Sequence, residues 1–144
     1  MKKIFLFSLF ALLFIAVSCS RNESSTEEFS SSSSETRTKT SVKINVIDKN
    51  QIPQKGIVVM MFKKEVNPEK DSMLPDIEMK ATSDANGLAY FDLSKYHVDD
   101  NQTYYFAAFR KNNEDSYTLI SNQQPRFKIK EHSVHTTTIV IKTK

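Results

Sequence analysis

The chain has no tryptophan, one cysteine, two glycines and four prolines in 144 residues. Each scarcity excludes something. With Cys19 alone, no internal disulfide can form, and a folded domain must stand on its core. The same count removes a second thiol that could complete a zinc site with histidine. Gly56 and Gly87 stand 31 positions apart, so there is no glycine-rich phosphate loop. Long apolar runs are scarce too. The longest, Ile4 to Val17, holds 14 residues, against about 20 for a spanning helix at 1.5 Å per residue.

What is present begins with that run. Lys2 and Lys3 precede it and small residues follow it, the pattern of a secretory signal peptide. It ends in Ala16-Val17-Ser18-Cys19. These four residues resemble the lipobox of bacterial lipoproteins, with Ala16 where that family usually has Leu. The resemblance implies that Cys19 takes a diacylglyceryl group and becomes the first residue of the mature chain. Stable anchoring then follows from more than one acyl chain, at about 0.8 kcal/mol per buried CH₂. The expected organisation is a signal peptide over 1–18, Cys19 and a linker over 19–40, and one domain over 41–144. The expected address is the bacterial envelope, at the outer membrane, with membrane lipid as a partner through Cys19.

The linker, "SRNESSTEEFSSSSSETRTKT", is dominated by Ser, Thr and Glu, with Phe29 its one aromatic. Such a composition cannot offset the entropy of ordering, which predicts a flexible spacer. The balance of charge says little about partners. Lys+Arg is 20 and Asp+Glu is 17; removing Lys2 and Lys3 leaves 18 against 17, close to neutral. Nucleic acid is therefore not an expected partner.

The remaining hundred or so residues suit one domain. "SVKINVID" alternates Val42, Ile44 and Val46 against Lys43 and Asn45, the period of a half-buried strand. "IVVMMFKK" is apolar on both faces and predicts a strand covered on both sides. "DIEMKAT", "LAYFDL", "TYYFAAFRK", "SYTLIS", "RFKIK" and "HTTTIVIK" complete the set. The β-branched run in the last favours strand over helix. No stretch repeats apolar residues at three- and four-residue spacing, so no substantial helix is expected beyond a turn over 93–97. The predicted fold is all-β: a single antiparallel β-sandwich of about seven strands, immunoglobulin-like or transthyretin-like.

Two turns carry the most identity. In "DKNQIPQKGIVVMMF", Asp48 and Asn50 favour bonds back to the local backbone, Pro53 fixes φ, and Gly56 gives freedom before the next strand. In "TSDANGLAYFDL", Asp84 precedes Asn86-Gly87, which suits a tight hairpin or bulge before Leu88. This order of strand, Asp, Pro, Gly, strand, then Asp, Asn-Gly and aromatic strand resembles the carboxypeptidase-regulatory-like and transthyretin-like sandwiches. The resemblance implies the fold. It does not extend to the hydroxyisourate hydrolase of that fold, whose Tyr-Arg-Gly-Ser ending has no counterpart in "TIVIKTK".

Catalytic chemistry finds no foothold. His132 and His135 stand three apart, so on an extended strand they point to opposite faces; with His97 they read as surface residues near loops. Asp84-Ala85-Asn86-Gly87 lacks the later ligands of a calcium loop. Asp99-Asp100 and Glu114-Asp115 read as solvated charge. No metal or cofactor is expected, and no enzyme activity. Tyr104, Tyr105, Phe106 and Phe109 place one set of aromatics in the core and leave the other face open. Lys43 lies on the first strand, but the last strand has no Asn for a Lys-Asn isopeptide staple. The expected function is a membrane-anchored, non-catalytic binding module that meets a protein or glycan through loops or an edge strand. The alternative is a structural or assembly subunit of an envelope complex or pilus-like fibre, working by strand exchange at an edge.

Overall fold

The computed structural model describes residues 38–70 and 73–143. Cys19, the lipobox residues Ala16, Val17 and Ser18, and most of the linker lie outside the described residues. The described residues form eight strands and no helix: β1 (Ser41–Ile47), β2 (Val58–Phe62), β3 (Ile77–Thr82), β4 (Leu88–Asp92), β5 (Thr103–Lys111), β6 (Tyr117–Leu119), β7 (Arg126–Lys128) and β8 (Val134–Val140). One sheet has the order β4-β1-β8. The other runs β3-β2-β5-β6, with β7 also on β5. Packing takes in Thr40 as well, which is buried and accepts a hydrogen bond from the His132 N–H (2.8 Å).

The expected all-β sandwich is present, with one departure from an antiparallel arrangement. β1 pairs β4 antiparallel but pairs β8 parallel, Ser41 beside Val134 through Ile47 beside Val140. Parallel neighbours need a long crossover. Here the crossover is the whole second sheet, because β2, β3 and β5 to β7 all lie between β1 and β8 in the chain.

Period-two alternation sets what each strand buries. Val42, Ile44 and Val46 of β1 are fully buried between the sheets, with Val59, Met61, Tyr104, Phe106, Phe91 and Ile139. Phe106 meets Phe91 edge-on at 5.4 Å and stacks on Phe127 at 5.2 Å. β2 is buried on both faces, as its sequence predicts. Its other face holds a second cluster of Val58, Met60, Phe62, Val66, Ala107 and Phe109, flanked by Tyr105, Tyr117 and Leu119. The aromatics of β5 thus divide: Tyr104 and Phe106 fill the inner core, while Tyr105 and Phe109 join this outer cluster.

Gln124 pins the covering loop over that cluster. Its side-chain amide donates to the Val66 C=O (2.7 Å) and accepts from the Val66 N–H (2.9 Å). Lys80 of β3 reaches over the Tyr117 ring at 5.4 Å, closing the same face from the opposite edge.

Candidate functional site

The two turns singled out in the sequence adopt one geometry. In each, an Asp side-chain oxygen accepts the N–H two residues on and the N–H four residues on. For Asp48 the donors are Asn50 (2.8 Å) and Ile52 (3.0 Å). For Asp84 they are Asn86 (2.8 Å) and Leu88 (2.9 Å). The third residue of each turn is left-handed: Gln51 at φ 64° and Gly87 at φ 75°. Its N–H donates to the Asp carbonyl at 3.0 Å in both turns. This is a three-residue loop whose last residue takes positive φ, for which glycine is the usual choice.

The turns also meet. Val46 N–H donates to the Gly87 carbonyl (2.7 Å), and Gln54 N–H donates to the Val46 carbonyl (2.9 Å). Buried Ser83 latches the corner: its hydroxyl donates to the Gln54 carbonyl (2.6 Å) and accepts from the Ile57 N–H (2.9 Å). Pro53 lies against Gly87 and bridges Ile47, while Gly56, at φ 77°, has open space around its Cα. All six turn residues therefore serve one structural corner. The Asp48 carboxylate accepts from two backbone N–H groups through one oxygen and from the Gln54 amide (3.3 Å) through the other. Ser83 has no distinctive sequence signal; a lone Ser before an Asp turn reads as loop.

The histidines do not converge. His132 is exposed at a left-handed turn with φ 58°, and His97 is exposed beside the Leu93 turn. His135 departs from the surface reading: it is half-buried, stacks on Phe127 at 5.0 Å, and its Nε2 lies 3.0 Å from the Ser133 hydroxyl. The Asp99-Asp100 and Glu114-Asp115 carboxylates are exposed. Among the described residues no three His, Cys, Asp or Glu side chains are grouped to hold a metal. Lys43 is exposed, with Tyr90 and Thr136 as its register neighbours.

One polar group joins β3 to the residue after β2 and to the turn after β4. Tyr96 donates to the Glu78 carboxylate, which also pairs with Lys63 at 3.3 Å. Burial, and then this hydrogen bond, holds the Tyr96 hydroxyl well above its ordinary range. A cavity of about 270 Å³ lies nearby on the outer cluster, lined by Val66, Pro68, Met73, Leu74, Phe109 and Tyr117.

The sheet edges differ in chemistry. β3 carries Glu78 and Lys80, and its ladder with β2 shifts register at Met61/Phe62. β6 and β7 have three residues each, with Arg126 and Lys128 flanking Phe127. Charge, irregularity and shortness are the usual guards of an edge. β8 has none of them. "VHTTTIV" has no Lys, Arg, Asp or Glu, is mostly β-branched and is regular along β1. Ile141 N–H points to β1, donating to the Ile47 carbonyl (2.9 Å). By alternation the N–H and C=O of Val134, Thr136 and Thr138 point the other way. The crossing segment reaches that side only at the far end, where Asn122 N–H donates to the Val140 carbonyl (3.0 Å) and Lys142 N–H to the Ile120 carbonyl (2.7 Å). Among the described residues, β8 has a strand neighbour on one side only.

No protein-family model matches the chain, and no curated protein sequence does. Among solved structures, it is similar to the major pilin subunit BcpA of Bacillus cereus, at 18% identity and TM-score 0.44, over 72% of this chain and 30% of that one. The chain thus spans about a third of that pilin's length. It is similar also to the SpaB basal pilin of Lactobacillus rhamnosus GG, at 14% identity and TM-score 0.40, over 74% of this chain and 98% of that one. At these scores the likeness bears on neither partner nor activity.

Proposed function

We propose that this chain is a non-catalytic structural or assembly module of the bacterial cell envelope, tethered by lipid on Cys19 and joined to its partner by strand pairing at β8. The observation that carries the reading is the edge itself. Among the described residues, the outward N–H and C=O groups at Val134, Thr136 and Thr138 have no strand partner, and no Lys, Arg, Asp or Glu side chain on β8 and no bulge guards them. Among the other edge strands, β3, β6 and β7 each have such a guard, and β4, at the far edge of the β8 sheet, ends in the charged Asp92. The tether rests on the signal run and on the lipobox-like Ala16-Val17-Ser18-Cys19.

The test is site-specific photocrosslinking in intact cells, with the reactive residue placed at Thr136 on β8 or at Lys80 on β3. Strand pairing at β8 predicts adducts from Thr136 and few from Lys80. Equal adducts from both, or none from Thr136, would contradict it.

A second reading is favoured by the cavity beside exposed Met73 and Leu74, which offers a protein or glycan ligand an apolar seat on the loop face. It predicts that Leu74→Asp abolishes ligand binding while crosslinking at Thr136 is absent.

A further inference from the structure

We infer that the partner of β8 is β8 of a second copy of this chain, running antiparallel about a two-fold axis at Thr136. The inference rests on the strand-pairing reading above and adds the identity and register of the partner.

The free edge has defined ends. It begins after the left-handed turn at His132 and stops at Val140, whose carbonyl is already taken by Asn122. Between them lie Val134 to Thr138, with Thr136 in the middle. A two-fold interface needs a self-complementary strand, since each residue i opposite j is repeated as j opposite i. An axis at Thr137 would set Val134 of one copy against Val140 of the other, where the Ile120–Asn122 crossing stands. An axis at His135 would run Thr138 into the His132 turn. An axis at Thr136 uses the free residues and nothing else.

That register also fits the direction of the backbone groups. Thr136 faces Thr136, and Val134 faces Thr138 twice over. These are the residues whose N–H and C=O point away from β1, so each pair can exchange two hydrogen bonds in the antiparallel pattern. Side chains agree as well. Val134, Thr136 and Thr138 are exposed on the outer face, and Val134 is 48% exposed. Opposed β-branched residues on one face pack favourably, and no like charges meet. The nearest repeated cation is Lys43, beside Thr136 on β1. Two copies of Lys43 would stand three strand spacings apart, about 14 Å, beyond the screening length of about 8 Å at physiological salt. The product is one continuous sheet, β4-β1-β8-β8-β1-β4. Tethering both copies to one membrane raises their effective concentration, so a short interface is sufficient.

The test is cysteine scanning of the full chain in its membrane, with the unsubstituted chain as control. Opposed Cα atoms of a hydrogen-bonded antiparallel pair sit about 5.5 Å apart, within disulfide reach. Thr136→Cys is expected to form a covalent homodimer alone. Val134→Cys and Thr138→Cys are expected to crosslink when co-expressed and not when expressed singly. Adding Thr136→Lys to the co-expressed pair should abolish their crosslink. The strongest self-crosslink at Thr137→Cys, or efficient crosslinking of Val134→Cys to itself, would overturn the register. Adducts from these positions to a different protein, with no homodimer, would overturn the second copy as partner yet leave strand pairing standing. No adduct at any β8 position would overturn both.

Discussion

Gly56 and Gly87 both take positive φ, but a methyl group would meet nothing at Gly56 and would lie 2.6 Å from the Val46 carbonyl at Gly87. The two should therefore respond differently to one substitution. Gly56→Ala should cost about 1–2 kcal/mol, the left-handed penalty alone. Gly87→Ala adds overpacking, for about 2–4 kcal/mol. Gln51 bears the same left-handed strain without being glycine, so Gln51→Gly should range from neutral to about 1 kcal/mol more stable. Thermal unfolding checks all three, at about 4–8 °C per kcal/mol for a domain of this size. Equal losses at the two glycines would contradict the packing of Gly87 on the Asp48 turn. Tyr96 gives a pH prediction. Its raised folded pKa means that its contribution is complete below the ordinary tyrosine value of about 10 and is lost as pH climbs from there through the higher folded value. Tyr96→Phe should lower the urea midpoint at neutral pH and flatten the alkaline fall; an alkaline fall of unchanged size would contradict it. At this scale the sequence is legible where chemistry is local. Asp48, Asn50, Asp84, Asn86 and Gly87 announce their turns. Gln51 does not, because its conformation is imposed by bonds to Asp48 rather than by its own preference. His135 also hides, since its stacking partner Phe127 is distant in sequence.

The strands were legible for a related reason. β1 alternates along its own length, β2 is apolar throughout and β8 is β-branched; the first two patterns follow from which faces are buried. Pairing is not written in any one strand, so the parallel ladder between β1 and β8 had no local signal. Nor did the cover on the outer face of β2, which depends on Gln124 reaching Val66 across 58 positions. Gln124→Ala should release both Val66 backbone groups and cost about 1–3 kcal/mol. Hydrogen exchange should show the loss at Val66 first, with β1 protection unchanged. At β8 the opposite holds: Thr136 is exposed and its backbone groups point away from β1, so at a dilution where the parent is monomeric Thr136→Lys should leave unfolding within about 0.5 kcal/mol of the parent. Unfolding of the monomer lowered by several degrees would mean that this edge is already paired within the chain.

At the scale of the whole molecule, the proposal combines a lipid on Cys19 with an assembly edge on β8. The tether is proposed from four residues and the edge from seven, and which side of β8 is free depends on pairing that the strand itself does not encode. Cys19→Ala should leave the sandwich folded and move the protein from the membrane fraction to the soluble one after a carbonate wash. The central claim is assembly through β8 while tethered. The most direct measurement is the native mass of the full chain extracted in mild detergent, compared with its Thr136→Lys variant. The account predicts a dimer for the parent and a folded monomer for the variant. A monomeric parent, or a variant that still assembles, would contradict it.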